Sequence, residues 1–189
     1  LDAASMLLDR KANIDKADII NQTAIYWAAS WGNRPVLELL LARRANIMHR
    51  DVNGQTALFY AVKLGATVSP DTQVECVKAL LEHAADRKAL VSVKCQKTGQ
   101  TALFNAIRFG GTLDTCGLLL DASADVDEVD LRGQSALFYA AAARSECVGF
   151  LLERGAVVDL RDANLETALG YAVSKGQVDS CRLLLAGKA

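Results

Sequence analysis

A six-residue phrase recurs five times along this chain and constrains its fold more than any other feature. It reads TAIYWA at Thr23–Ala28, TALFYA at Thr56–Ala61, TALFNA at Thr101–Ala106, SALFYA at Ser135–Ala140 and TALGYA at Thr167–Ala172. The leading hydroxyl residues stand 33, 45, 34 and 32 positions apart. A leucine cluster follows each phrase, at Leu39–Leu41, Leu80–Leu81, Leu118–Leu120, Leu151–Leu152 and Leu183–Leu185. Small-residue turns follow at Ala45, Ala85, Ala124 and Ala156, and an aspartate opens a unit at Asp18, Asp51, Asp130 and Asp162. Self-similarity at such a period means that one supersecondary unit is repeated and stacked.

The physics of one unit follows from its residues. Thr or Ser before Ala and Leu predicts an N-cap whose hydroxyl accepts from a first-turn N–H. Asn21, Gly54, Gly99 and Gly133, two residues earlier, predict a tight turn with positive φ. Gly32, Gly65 and Gly110 end the first helix, and Pro35 suits the first turn of the second, where the missing N–H costs nothing. Neither helix is long enough to stand alone in water, so each must bury its apolar face against the next unit. Tyr26, Phe59, Phe104 and Phe138 are assigned to that core, as are the cysteines Cys76, Cys116, Cys147 and Cys181 at second-helix positions.

This pattern of turn, helix, turn, helix with a period of about 33 resembles the ankyrin repeat family across nearly the whole chain. The family phrase T-P-L-H-x-A is altered here. Ala24, Ala57, Ala102, Ala136 and Ala168 replace the proline, and Tyr26, Phe59, Phe104, Phe138 and Gly170 replace the histidine. Aromatic packing is expected in place of the family's histidine hydrogen bonds. The implied fold is all-α, a solenoid of stacked helix-turn-helix units with β-hairpin-like fingers. One repeat domain over 1–189 is expected, divided into a partial repeat 1–17, repeats 18–50, 51–95, 96–129 and 130–161, and a truncated repeat 162–189. Because neither end looks like a polar cap, the chain is expected to be a piece of a longer protein.

Two insertions break the period. One, residues 66–73, lies between the helices of the second full repeat. The other, residues 86–95, lengthens the next finger, and its alternation over 90–94 suggests an extended hairpin. Each reads either as tolerated drift or as a functional loop. Cys95 is expected to be exposed there. Arg87, Lys88, Lys94 and Lys97 make the finger basic, which suits either a solvated turn or a contact for an acidic partner segment.

Composition narrows the function. With 21 Lys and Arg against 22 Asp and Glu, the net charge is -1. That argues against nucleic acid as a partner. No apolar run reaches the roughly 20 residues that span a bilayer, so no direct membrane insertion is expected. Leu1 opens inside a helical pattern without a basic start, so no secretory leader is expected. Five cysteines without a C-x-x-C pair, and two histidines, support neither a zinc site nor a disulfide framework. A cytoplasmic, or alternatively nuclear, location fits. Phosphate-loop and nucleophile motifs are absent, so neither an enzyme, a small-molecule substrate nor a cofactor is expected.

The resemblance implies a partner protein or extended peptide docked on the concave side, made by finger tips and first helices. The finger-tip candidates are Gln22, Asn53, Gln55, Lys97, Gln100 and Arg132. The first-helix candidates are Trp31, Leu64, Arg108 and Phe109, with Trp31 and Phe109 expected at the surface. A further row, Trp27, Tyr60, Asn105, Tyr139 and Tyr171, either lines an aromatic groove or packs within the first-helix layer. The competing function is a structural spacer that holds flanking domains apart.

Overall fold

The structure, a computed structural model, describes residues 2–63 and 68–187. Leu64 and the start of the first insertion lie outside that range. Among the described residues the chain forms twelve helices and no sheet, only an isolated bridge between Val129 and Ser135. After α1 (Asp2–Asp9) come paired helices: α2 (Ala24–Ser30) with α3 (Arg34–Ala42), α4 (Ala57–Ala61) with α5 (Pro70–His83), α7 (Ala102–Arg108) with α8 (Leu113–Asp121), α9 (Ala136–Ala143) with α10 (Ser145–Glu153), and α11 (Ala168–Ser174) with α12 (Val178–Ala186). The short α6 (Arg87–Val91) follows α5. Helices α2, α4, α7, α9 and α11 stack in one layer; α3, α5 and α8 pack in a second.

The core runs the length of the stack. Tyr26, Phe59, Phe104 and Phe138 are buried in the first-helix layer; Leu37, Leu80, Leu119, Leu151 and Leu184 fill the second. Cys76, Cys116 and Cys147 are buried with them, while Cys181 near the C-terminal end is half-buried. Burial pushes the Cys76 and Cys116 thiols up to about 11 and about 12, so they behave as small apolar groups. Each buried ring excludes enough apolar surface to contribute on the order of 2–3 kcal/mol.

Aromatic packing replaces the family histidine in three places. Rings meet edge-to-face at Tyr26–Tyr60, Phe104–Tyr139 and Phe138–Tyr171, with centroids 5.5–5.6 Å apart. Tyr26 also keeps a hydrogen-bonding role, its hydroxyl donating to the carbonyls of His49 (2.6 Å) and Gln55 (2.8 Å). Between Phe59 and the next repeat the ladder changes chemistry. Asn105 stands where three other repeats carry Tyr60, Tyr139 and Tyr171, and its Nδ2 donates to the Phe59 carbonyl at 3.3 Å.

Capping departs from the sequence expectation. Thr23, Thr56, Thr101 and Ser135 occupy N-cap positions, yet none accepts a side-chain capping bond. The hydroxyls of Thr23, Thr56 and Ser135 are buried without a partner. Packing inside the helix layer, rather than the cap bond, sets these rotamers. Thr167, half-buried at the end of the layer, does accept from Gly170 N at 3.3 Å.

The described parts of both insertions pack into the fold. The first adds a turn to the start of α5, capped by Ser69 and opened by Pro70. Gln73 in that turn is buried. Its Nε2 donates to Val62 O (2.9 Å), and its Oε1 accepts from Thr112 N (3.3 Å) and Thr115 Oγ1 (3.1 Å). The second insertion is no extended hairpin. Asp86 caps α6 by accepting from Ala89 N, and Leu90, Val91 and Val93 are buried. A helix wins because a cap and two inward apolar side chains close one turn over the end of the neighbouring core.

Candidate partner-binding face

The fingers are held by one repeated device. Within each, the backbone N–H of Asp18, Asp51, Asp130 or Asp162 donates to the carbonyl four residues on, and the carboxylate accepts two more N–H bonds across the turn. These are turns rather than paired strands. The sharp reversal needs positive φ: 60° at Asn21, and 73–74° at Gly54, Gly99 and Gly133. Leu165 adopts 65° at the equivalent place in the last finger. Neighbouring fingers lie side by side, joined by the bonds Val52 N to Ile20 O, Gln96 N to Asn53 O, Leu131 N to Thr98 O and Ala163 N to Arg132 O.

The second carboxylate oxygen recruits a tyrosine nine residues later. Tyr60 donates to Asp51 (2.7 Å), Tyr139 to Asp130 (2.7 Å) and Tyr171 to Asp162 (3.0 Å). A glutamine from the preceding finger completes each set: Gln22 Nε2 to the Tyr60 hydroxyl, Gln100 to Tyr139, and Gln134 to Tyr171. Burial, then the adjoining carboxylate, pushes the Tyr139 phenol up to about 12 and raises Tyr60 and Tyr171 as well. The Asp162 carboxyl lies below the usual range: burial works to raise it, but Gln134, the Asn164 and Glu166 N–H groups and Tyr171 outweigh that.

Several sequence candidates are held by bonds within the stack. Gln22, Gln100 and Asn105 are buried and hydrogen-bonded to the neighbouring unit. Tyr60, Tyr139 and Tyr171 are half-buried with their hydroxyls committed. Asn53 and Gln55 are half-buried in their finger. Leu64 lies outside the described residues.

The surface is made by the others. Trp27, Trp31 and Phe109 are 51%, 63% and 45% exposed along the first-helix layer, Trp31 and Phe109 at corresponding places. Val52 and Leu131 are exposed finger-tip apolar residues, and Lys97, Arg108 and Arg132 are exposed cations. Between them runs a cation–aromatic strip. Lys63 Nζ sits 4.9 Å from the Tyr60 ring and 5.1 Å from Phe109; Arg108 Cζ sits 5.3 Å from both Phe109 and Tyr139. Such contacts hold the cations against ring faces. Lys63 stands with Leu64 among the variable first-helix positions that the sequence offers, seven residues after Thr56 and one turn from Tyr60.

The basic finger and Cys95 differ from expectation. Lys94 pairs with Glu128 at 2.7 Å, and Arg87 Nε donates to Leu81 O, capping α5. Cys95 is buried. It takes the place of the finger aspartate, its backbone N–H donating to Gln100 O. Burial raises its thiol, but hydrogen bonds from Thr98, the Lys97 and Thr98 N–H groups and Gln55 outweigh this and leave it below the ordinary thiol value.

Repeated helix pairs, stacked in layers with fingers on one side, define a helical solenoid. The family model for ankyrin repeats matches residues 1–89, 49–130 and 110–189 in three copies, and the chain belongs to the ankyrin repeat family. No curated protein matches it. Ankyrin repeats are in general protein–protein interaction modules, typically without catalytic activity. Among the described residues no helix is long and apolar enough to cross a membrane, and no group of three or more His, Cys, Asp or Glu could hold a metal.

Proposed function

We propose that this chain binds a partner protein or an extended peptide along the face bearing Trp27, Trp31, Lys63, Lys97, Arg108, Phe109 and Arg132. The observation that carries the reading is the pair Trp31 and Phe109. Both close a first helix and stay exposed at corresponding places in the stack, while Tyr26, Phe59, Phe104 and Phe138 are buried and Tyr60, Tyr139 and Tyr171 are hydrogen-bonded. Large exposed rings on a rigid surface are the residues that anchor interfaces. The chain would serve as the recognition or scaffold arm of a larger protein. Its buried free thiols suit a reducing compartment, the cytoplasm or nucleus.

The test is photo-crosslinking with p-benzoylphenylalanine placed singly at Trp31, at Phe109 and at Glu153 on the outer helix α10. A discrete protein adduct from positions 31 and 109, absent at 153, is expected. Adducts only from 153 would move the site to the outer face. No adduct from any position would favour the spacer, whose support is that the half-buried tyrosines are spent on the stack.

A further inference from the structure

The strip carries unbalanced charge. Lys97, Arg108, Arg132, Leu131 and Tyr139 bound a cavity of about 320 Å3 between two neighbouring fingers and α7. Three cations therefore face one carboxylate, Asp130, and Lys63 with Asp51 behind it extends the strip without reducing the excess. Asp130 is already saturated, accepting from the N–H groups of Arg132 and Gln134, from Gln100 Nε2 and from the Tyr139 hydroxyl. Among the described residues none of Lys63, Lys97, Arg108 and Arg132 forms a salt bridge, whereas Arg34, Lys94 and Arg154 each do.

Arg108 is preorganised for an anion. Its guanidinium lies against Phe109 and Tyr139, and one terminal nitrogen donates to Gln100 Oε1 at 3.1 Å. The remaining N–H groups keep the planar fork that pairs with a carboxylate. Burial holds the Lys63 ammonium below the ordinary lysine value, so an incoming negative charge there is favoured doubly. Phe109 and Leu131 offer exposed apolar surface alongside. An extended peptide puts alternate side chains on one side about 6.5–7 Å apart, which suits alternating carboxylate and apolar subsites.

We propose that the occupant of this face is an acidic, extended segment of a partner protein, with one carboxylate seated among Lys97, Arg108 and Arg132 and apolar residues over Phe109 and Leu131. The proposal rests on the partner-binding reading above and names the chemistry of its ligand. It narrows the acidic contact of the basic finger to Lys97, since Lys94 and Arg87 are spent internally, and adds Arg108 and Arg132. A nucleic acid is disfavoured because Asp51 and Asp130 stand directly behind the strip and aliphatic Val52 and Leu131 share the face.

The experiment is selection of a displayed random dodecapeptide library against the native chain and against a Lys97→Glu/Arg132→Glu variant, whose side chains hold no bond in the stack. Circular dichroism checks that both are equally folded. The expected result is enrichment of Asp and Glu at alternate positions on the native chain only. Replacing those residues by Asn and Gln in the selected peptide should weaken binding at least tenfold in fluorescence anisotropy, and 300 mM salt should weaken it further. Peptides enriched without acidic residues, or no enrichment, would overturn the proposal. Neutral peptides lost on Trp31→Ala would keep the groove and reject its acidic ligand. Peptides indifferent to both variants would reject the groove too. Tighter binding of a dT12 oligonucleotide than of any peptide would replace the acidic segment with nucleic acid.

Discussion

Gln73→Leu tests whether the first insertion is built into the fold. Gln73 is 1% exposed and joins three groups from two repeats: the Val62 carbonyl, the Thr112 N–H and the Thr115 hydroxyl. Leucine retains most of the volume and none of the bonds. The Val62 carbonyl loses its side-chain donor, the Thr112 N–H loses its acceptor, and Thr115 keeps only its contact with Thr112 Oγ1. A buried polar group stranded in this way costs about 1–3 kcal/mol. Counting the Val62 carbonyl fully and the other two in part gives about 3 kcal/mol. With a urea slope of about 2 kcal/mol/M, the unfolding midpoint falls by about 1.5 M. Repeat arrays can unfold in parts, so hydrogen exchange should accompany the titration. Protection should fall first over residues 57–63 and 102–121 and remain unchanged over 168–186. Adding Thr115→Val should recover part of the loss. A midpoint shift below about 0.5 M, or uniform loss of protection, would refute the clamp and leave the insertion as tolerated drift.

Other expectations follow from the same geometry. Leu165, 71% exposed at φ 65°, carries the cost of a left-handed side chain, so Leu165→Gly should raise stability by about 0.5 kcal/mol after the glycine's added unfolded-state entropy, seen as a Tm increase of about 1–2 °C. Conversely, a Cβ at Gly99 would meet Leu131 N at 2.8 Å, so Gly99→Ala should lower stability by at least about 2 kcal/mol in the same melt. The tyrosine phenols are raised in the folded state, so the stability they contribute is complete below pH 10 and is lost as pH climbs toward about 12. Urea midpoints at pH 8 and pH 11 should show that fall, and Tyr139→Phe should reduce it. Native-state alkylation should label Cys181 before the four buried thiols; rapid labelling of Cys95 would contradict its burial.

The recurring phrase made the solenoid legible because period and burial are one-dimensional properties of a stack. Tyr26, Phe59, Phe104 and Phe138 fall in the core where their spacing puts them, and Gly54, Gly99 and Gly133 adopt the positive φ their turns require. Hydrogen-bond choice was less legible, since the partner of a side chain lies about 30 residues away in the next unit. The aspartate–tyrosine pairs did leave a trace: Asp51, Asp130 and Asp162 each precede a tyrosine by nine residues. The one finger without the aspartate, at Cys95, also lacks the tyrosine, carrying Asn105. That joint change points to the coupling, although Asp18 precedes Trp27, not a tyrosine, by the same nine residues. The helix α6 was hidden because the alternation over 90–94, taken alone, assigns a strand. The cation–aromatic strip was hidden because Lys63, Arg108 and Arg132 meet only across stacked helices and fingers.

The most direct test of the central claim is the affinity of the crosslinked partner for the native chain and for Trp31→Ala, measured by isothermal titration with matched circular dichroism. If Trp31 anchors the interface, the variant loses at least about 2 kcal/mol, close to thirtyfold in Kd. Equal affinity for the two folded proteins would contradict the account and place the partner elsewhere on the stack.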